Sequence, residues 1–332
     1  MLQAKDYALI DLHLHLDGSI SLNSVKELAE LQGIKLSLID EELLERLQVG
    51  EECKDLNEYL DKFHFINLLL QTKEAISTAV YNLEEELKEQ GLIYAEIRFA
   101  PQLHTKEGLS QADVVEAAIA GMGRSDFHAN LILCCMRGED NHKENLETVH
   151  VAKKYLGTGV CAIDLAGAEA LYPTEDFKDL FELATELEVP YTIHAGEAAG
   201  PESVYEAVAL GTKRIGHGVR SLEDSQLTRE LAETGVTLEL CPTSNLNTNI
   251  FESMEKYPIR KLMNEGIKIT INTDNMTVSG VTLQSELQKL METFSLSEEE
   301  LQMLVRNSVD AAFADESTKK WIYSVMGFIL PM

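Results

Sequence analysis

Short apolar runs alternate with longer amphipathic stretches along most of this 332-residue chain. The first run, residues 9–16, alternates apolar and polar positions, which is the period of a β-strand. Seven further runs rich in β-branched residues predict strands over residues 92–99, 130–136, 160–165, 191–194, 214–217, 236–240 and 267–272. An interval long enough for a helix follows each of them, so the pattern predicts parallel βα units.

The stretch between the first two predicted strands is helical in pattern. It predicts helices over residues 21–31, 40–47, 55–71 and 72–90, the last ending at Gly91, a residue typical of helix C-termini. The aromatic segment 59–66 is expected either to lie in the core or to form an apolar wall over a pocket. Later helices are predicted over residues 111–122, 143–155, 175–187, 203–210, 224–233, 297–313 and 316–326.

Eight βα units favour a closed (β/α)8 TIM barrel, with a helical insertion after the first strand and extra helices at the C-terminal end. An open doubly wound sheet is the alternative that the same alternation permits. It is disfavoured because no glycine-rich dinucleotide turn follows the first strand. No linker, repeat or low-complexity tract divides the chain, so we predict a single domain over residues 1–332. The apolar ending from residue 327 predicts nothing further.

The charge balance limits the partners. Asp and Glu number 56 against 28 Lys and Arg, which gives a formal net charge of −28. Such a surface repels phosphate backbones and anionic lipids, so neither nucleic acid nor a membrane is expected as a partner. A small-molecule substrate is compatible with this charge. The oligomeric state stays open.

Cysteine usage and the start of the chain predict a cytoplasmic protein. The five cysteines are an odd number, scattered through strand-like and helical segments, which is typical of free thiols in a reducing compartment. No signal-peptide pattern precedes the first strand, and no apolar run approaches the roughly 18 residues of a transmembrane helix.

Histidines and a carboxylate recur where the predicted strands end. His13 and His15 are two residues apart in the first strand, so their side chains point to the same face. His194 ends the fifth strand, His217 ends the sixth, and Asp274 follows the eighth. Active sites of such barrels lie at the carboxyl ends of the strands, so we expect these groups to converge. No role is assigned to the other histidines, His64, His104, His128, His142 and His150.

Three neutral imidazoles and one carboxylate suit zinc, with one coordination position left for water. We therefore predict one Zn²⁺ per chain. Zinc lowers the pKa of bound water toward ~7, which indicates a hydrolytic site. Glu197, three residues after His194, is near enough in sequence to transfer protons in the same pocket.

Four motifs together resemble the signature of the adenosine deaminase family. They are Asp-Leu-His-Leu-His-Leu-Asp-Gly-Ser at 11–19, His-Ala-Gly-Glu at 194–197, Gly-His-Gly at 216–218 and Asn-Thr-Asp-Asn at 272–275. Segments 164–167 and 241–244 are similar to further family segments. The resemblance implies zinc-dependent hydrolytic deamination of adenosine, and of 2′-deoxyadenosine, to inosine or deoxyinosine and ammonia in purine salvage.

The resemblance also implies roles for individual residues. Glu197 would protonate purine N1 while water adds at C6, and it therefore needs surroundings that raise its pKa. His217 would orient or deprotonate the attacking water. The implied zinc ligands are His13, His15, His194 and Asp274.

Substrate contacts are implied for His15, Asp17, Gly167 and Asn275. Asp17 would contact a ribose hydroxyl, and Gly167 would donate its backbone N–H to purine N3. Animal members of the family have a second aspartate where this chain has Asn275. Purine N7 is an acceptor, so an amide N–H can donate to it without a protonated carboxyl.

Four alternative functions are compatible with parts of this pattern. Adenine deaminase is the nearest, but its pattern has Glu at position 17 and paired aspartates at 274 and 275. AMP deamination is disfavoured because no basic cluster accompanies the motifs. A two-metal amidohydrolase is disfavoured because the fourth strand ends at 164–167 without a lysine. A non-catalytic metal or purine binder is the remaining alternative.

Overall fold

The computed structural model describes residue 7, residues 9–50 and residues 53–327, so the apolar ending after residue 327 lies outside it. Eight strands form two parallel four-stranded sheets, in the orders β1-β2-β3-β4 and β5-β6-β7-β8. The strands are β1 (Leu9–His15), β2 (Leu92–Phe99), β3 (Ala129–Met136), β4 (Val160–Ala166), β5 (Thr192–Ala195), β6 (Arg214–His217), β7 (Thr237–Leu240) and β8 (Lys268–Ile271).

Single parallel bridges join the two sheets at both edges. Between β4 and β5, the N–H of Ile163 donates to the carbonyl of Pro190 at 2.9 Å. Between β8 and β1, the N–H of Asp274 donates to the carbonyl of His13 at 2.8 Å, and the N–H of His15 to the carbonyl of Asp274 at 2.7 Å. The strands therefore follow one another in cyclic order, as in a (β/α)8 barrel and not as in an open doubly wound sheet.

Sixteen α-helices lie in the described part of the chain and surround these strands. They are α1 (Leu22–Leu31), α2 (Asp40–Leu47), α3 (Leu56–Leu60), α4 (Phe63–Leu69), α5 (Lys73–Glu89), α6 (Gln111–Met122), α7 (His142–Tyr155), α8 (Lys178–Glu186), α9 (Pro201–Ala209), α10 (Ser225–Thr234), α11 (Pro242–Asn247), α12 (Ile259–Asn264), α13 (Met276–Ser279), α14 (Leu283–Phe294), α15 (Glu298–Ala311) and α16 (Glu316–Val325).

Side-chain caps fix several helix starts close to the predicted bounds. The hydroxyl of Ser21 accepts the N–H of Ser24 at the start of α1, and Thr72 caps α5 in the same way. Ser297 forms a capping box with Glu300 at the start of α15. Each cap satisfies an N–H group that has no partner within the helix.

The helix predicted over residues 55–71 is wrong as a single element, because it is broken between α3 and α4. Tyr59 on α3 packs with Val278 and bonds the hydroxyl of Ser279 at 2.7 Å, whereas Ile66 and Leu69 on α4 pack in the main core. One straight helix cannot direct Tyr59 and Ile66 into these two different clusters. The aromatic segment consequently contributes both to the core and to a cavity wall.

All five cysteines are buried, and none forms a disulfide in the described chain. Among the described residues, no helix has the length and apolar character needed to cross a membrane. The single domain inferred from the sequence stays a prediction.

Glu84 on α5 is a buried acid outside the barrel. Its side chain is 0 % exposed, and neither carboxyl oxygen has a hydrogen-bond partner among the described residues. Burial, with a smaller effect from the charge of Glu85, raises the pKa of Glu84 to about 8. Because an unfolded glutamate has a pKa near 4.5, folding takes up a proton at pH values between this pKa and the raised one. The free energy of unfolding should therefore fall by ~1.4 kcal/mol per pH unit from about pH 5 to pH 8 through this group.

We expect Glu84→Gln to remove this pH dependence and to raise the free energy of unfolding at pH 8 by roughly 1–3 kcal/mol. Urea unfolding at pH 6 and pH 8 measures it. Glu89→Gln, an exposed change on the same helix, is the control and should leave the wild-type slope. If the free energy of unfolding changed equally between pH 6 and pH 8 in the wild type and in Glu84→Gln, the expectation would be contradicted.

Candidate active site

Polar side chains at the carboxyl ends of the strands converge on one cavity of about 320 Å³, a volume typical of small-ligand pockets. His15 at the end of β1, His194 on β5 and His217 at the end of β6 all line it. Asp274 and Glu197, from the loops after β8 and β5, complete its polar side. The convergence expected from the sequence is therefore present.

Four side chains form a cluster that fits a metal ion. His13, His15, His194 and Asp274 each offer one ligand atom, and these atoms lie within 4.8 Å of one another. His15 Nε2 is 3.3 Å from His194 Nε2, and both His13 Nε2 and His15 Nε2 are 3.4 Å from Asp274 Oδ1. His13 Nε2 is buried without a hydrogen-bond partner among the described residues. An unpaired imidazole nitrogen beside two others and a carboxylate suits zinc.

A second group, in which His217 and Cys241 replace His15 and His194, also has its ligand atoms within 4.8 Å. A thiol ligates only as thiolate. Burial and the charge of Asp274 raise the pKa of Cys241 well above its usual value. The group with three imidazoles is therefore the better fit for a metal.

Buried carboxylates contact two of the imidazoles at Nδ1, the ring nitrogen that does not face the cluster. His13 Nδ1 is 2.7 Å from Glu239 Oε2, and His194 Nδ1 is 2.9 Å from Asp164 Oδ2. Arg98 donates to both carboxylates at 2.9 Å, through Nη1 to Asp164 and through Nη2 to Glu239. Such contacts keep the proton on Nδ1, so that Nε2 presents its lone pair to the cluster. Despite burial, the contacts with His194 and the Arg98 guanidinium hold the pKa of Asp164 below its usual range.

We expect Asp164→Asn to weaken zinc binding about 10–100-fold, because the amide no longer supplies the charge that holds His194 Nδ1–H. Competition with a chromogenic chelator measures the affinity. Asp179→Asn is the matched control, since Asp179 pairs with His142 at 3.1 Å on the surface. Unchanged zinc affinity in Asp164→Asn would contradict a role for this carboxylate in metal binding.

Glu197 is a buried acid at the edge of the cluster. It is 4 % exposed, its Oε2 lies 3.6 Å from His217 Nε2, and its Oε1 is unpaired within the described chain. Burial, with the negative charges of Asp274 and Glu169, raises the pKa of Glu197 well above its usual value. Burial therefore favours the protonated form of this carboxyl, which can donate a proton into the cavity.

His217 is held in one orientation by Asn245. The amide Nδ2 of Asn245 lies 3.0 Å from His217 Nδ1, and its Oδ1 accepts the hydroxyl of Tyr257 at 3.1 Å. Because Nδ1 accepts, a neutral His217 carries its proton on Nε2, facing Glu197. Burial holds the pKa of His217 well below its usual value, so the ring is neutral.

The remaining candidate residues line the same cavity. Asp17, Gly167 and Asn275 are on its wall, and Asn275 Oδ1 is buried without a partner among the described residues. Burial raises the pKa of Asp17 to about 7. The Asn275 amide packs so close to Gly18 that a Cβ there would lie 1.8 Å from its Oδ1, so only glycine fits.

The sequence model of the adenosine deaminase family matches residues 8–327. The chain belongs to this family. An adenosine deaminase of Haemophilus ducreyi is 48 % identical over 323 residues, which cover 95 % of this chain and 94 % of that protein. As a family member, the protein is a metal-dependent hydrolase that acts on C–N bonds.

Two solved structures of other proteins share the fold. An adenine deaminase from Arthrobacter aurescens superposes with a TM-score of 0.86 at 26 % identity and covers 97 % of this chain and 98 % of its own. An amidohydrolase from Burkholderia ambifaria, solved with bound Zn, gives a TM-score of 0.85 at 24 % identity, covering 98 % of this chain and 90 % of its own. At 24 % identity, the similarity to the amidohydrolase indicates a shared fold and nothing about the reaction.

Sequence reasoning did not find three residues that support the site: Arg98, Glu239 and Glu169. The first two are charged residues inside buried strands, β2 and β7. Charged residues are unusual inside the buried strands of a parallel sheet, and this was the available signal. No comparable signal marks Glu169.

Proposed function

We propose that the protein catalyses the zinc-dependent hydrolytic deamination of adenosine, and of 2′-deoxyadenosine, to inosine or deoxyinosine and ammonia. The observation that carries the proposal is the buried Glu197 carboxyl, whose Oε1 is unpaired within the described chain, beside a three-histidine, one-aspartate cluster. Membership of the adenosine deaminase family supports it. The buried thiols support a cytoplasmic location, and the charge of −28 supports a small-molecule substrate over nucleic acid or membrane partners.

His13, His15, His194 and Asp274 would hold one zinc ion per chain. Zinc, when bound, supplies a Lewis acid that makes water nucleophilic at neutral pH. The chain's own contribution is to fix the ligands: Glu239 and Asp164 hold two imidazoles from behind, so their Nε2 atoms need no rearrangement to coordinate.

Glu197 would donate its proton to purine N1. Protonation draws electron density from C6, so that water adds there and its released proton returns to the Glu197 carboxylate. That proton then passes to the amino group, which leaves the tetrahedral adduct as ammonia, and loss of the C6 hydroxyl proton forms the carbonyl of inosine. His217, with its proton on Nε2, would orient the attacking water as a hydrogen-bond donor. Of the two roles expected from the sequence, orientation therefore has the better support, because Asn245 occupies the accepting nitrogen.

Four residues would position the nucleoside. Asp17 would contact a ribose hydroxyl, His15 would line the substrate site, and the backbone N–H of Gly167 would donate to N3. The Asn275 amide would donate to N7. Gly167 adopts a φ of +107°, which few residues other than glycine tolerate.

The test is ultraviolet-monitored deamination by the purified protein with adenosine, adenine and AMP in parallel, before and after chelation and zinc restoration. Conversion of adenosine to inosine that stops with chelator and returns with zinc is expected. Activity on adenine alone would move the assignment to adenine deaminase. Inactivity on all three substrates with zinc bound would favour a non-catalytic binder.

A further inference from the structure

Glu169, in the loop after β4, binds the backbone of the loop after β5. Its Oε1 accepts the N–H of Gly196 at 2.6 Å. Its Oε2 accepts the N–H groups of Glu197, Ala198 and Ala199 at 3.0, 2.7 and 3.0 Å. Four successive N–H groups directed at one carboxylate form an anion-binding nest, which the chain fills with its own buried side chain.

The loop that Glu169 holds has little else to fix its conformation. Around Glu197 its sequence is Gly196, Ala198, Ala199 and Gly200, residues without polar side chains. Gly196 is in the left-handed region with a φ of +70°. Arg220 adds two contacts, from its backbone N–H to the carbonyl of Gly196 at 3.1 Å and from its guanidinium to the carbonyl of Ala198 at 3.2 Å. The N–H groups of residues 196–199, however, all bind the one carboxylate of Glu169.

Glu169 also connects two walls of the cavity. It lies two residues after Gly167, which lines the cavity, while its carboxylate determines where Glu197 enters it. Glu169 itself is not among the residues that line the cavity. A shift of Glu169 would therefore move the proton donor relative to the purine without touching the substrate.

We propose that Glu169 is a positioning residue, which fixes the Glu197 carboxyl relative to the purine by anchoring the backbone of residues 196–199. The proposal rests on the proposed function, in which Glu197 is the proton donor. The negative charge of Glu169 also supports Glu197 as the proton donor, since it disfavours ionisation of the Glu197 carboxyl.

Glu169→Gln tests this role, because a glutamine keeps the size but replaces one accepting oxygen by a donor. We expect kcat for adenosine to fall about 10–100-fold, as for a catalytic group displaced by about 1 Å. KM should stay within about threefold and zinc content at the wild-type level. Amide hydrogen exchange should accelerate in a peptide covering residues 195–200.

Glu202→Gln is the matched control. Glu202 is exposed, and within the described residues it accepts a hydrogen bond from the N–H of Gly200, at 3.0 Å, at the end of the same loop. This variant should keep wild-type kinetics. Glu169→Asp, which keeps the charge and shortens the side chain, should lower kcat as well and replaces Glu169→Gln if that variant does not fold.

Three results would overturn the positioning role. They are a wild-type kcat in both Glu169 variants, a rise in KM at constant kcat, and loss of zinc together with activity. Unchanged amide exchange at 195–200 would overturn the anchor itself. A wild-type protein that does not deaminate adenosine, with faster exchange in Glu169→Gln, would remove the proposed function and leave the anchor in place.

Discussion

Glu197→Gln is expected to lower kcat for adenosine deamination about 10³-fold or more while zinc stays bound. A glutamine amide fills the same space but has no acidic proton to transfer to N1, and general acid catalysis is worth about 10²–10⁴ in rate. Glu197 makes its contact with His217 and not with the four predicted zinc ligands, so the metal cluster should be unaffected. Steady-state kinetics with zinc analysis on the same sample measures both quantities.

Glu223→Gln provides the control for this experiment, since Glu223 is an exposed acid that pairs with Arg220 and lies outside the zinc cluster. It should keep the wild-type rate. Activity of Glu197→Gln within tenfold of the wild type would show that another group protonates the purine. Loss of zinc in this variant would show that Glu197 supports the metal.

The strands and their order were predictable because hydrophobic periodicity and residue composition are local features of the sequence. β1 alternates, the later strands are short and β-branched, and parallel connection through helices leaves few topologies. The break between α3 and α4 was not predictable in this way. It depends on Tyr59 and Ile66 packing into different clusters, and Tyr59 reaches residues more than 200 positions away along the chain.

The convergence of the four proposed metal ligands was predictable because barrel geometry converts a position at a strand end into a position in space. The groups behind them were not. Glu239 lies 226 residues from His13 and 141 from Arg98 in the sequence. Local patterns do not tell which buried carboxylate faces which histidine. The four contacts of Glu169 are with main-chain N–H groups, which every sequence contains.

Backbone strain is another property of the site that the sequence does not reveal. His217 and Asp274 have φ values of +61° and +63°, a region that side chains other than glycine adopt at a cost. Both residues lie where a strand ends and the chain turns into the cavity. Their hydrogen bonds, to Asn245 and Ser244, hold the side chains in these conformations.

Asp274→Asn is expected to have the second large effect. Asp274 Oδ1 faces His13 and His15, and above all the contact with His13 holds its pKa below the usual range despite burial. The amide keeps the shape and removes the only charged ligand. We therefore expect zinc to be lost on dialysis and deamination to fall by at least ~10³-fold, the equivalent of several kcal/mol.

Ser244→Ala separates the charge of Asp274 from its orientation. The Ser244 hydroxyl donates to Asp274 Oδ2 at 2.6 Å, so its removal frees the carboxylate to rotate but leaves its charge. We expect this variant to retain zinc and to lose at most about 10–100-fold in metal affinity. If Asp274→Asn held zinc as tightly as Ser244→Ala, charge would not be what Asp274 contributes.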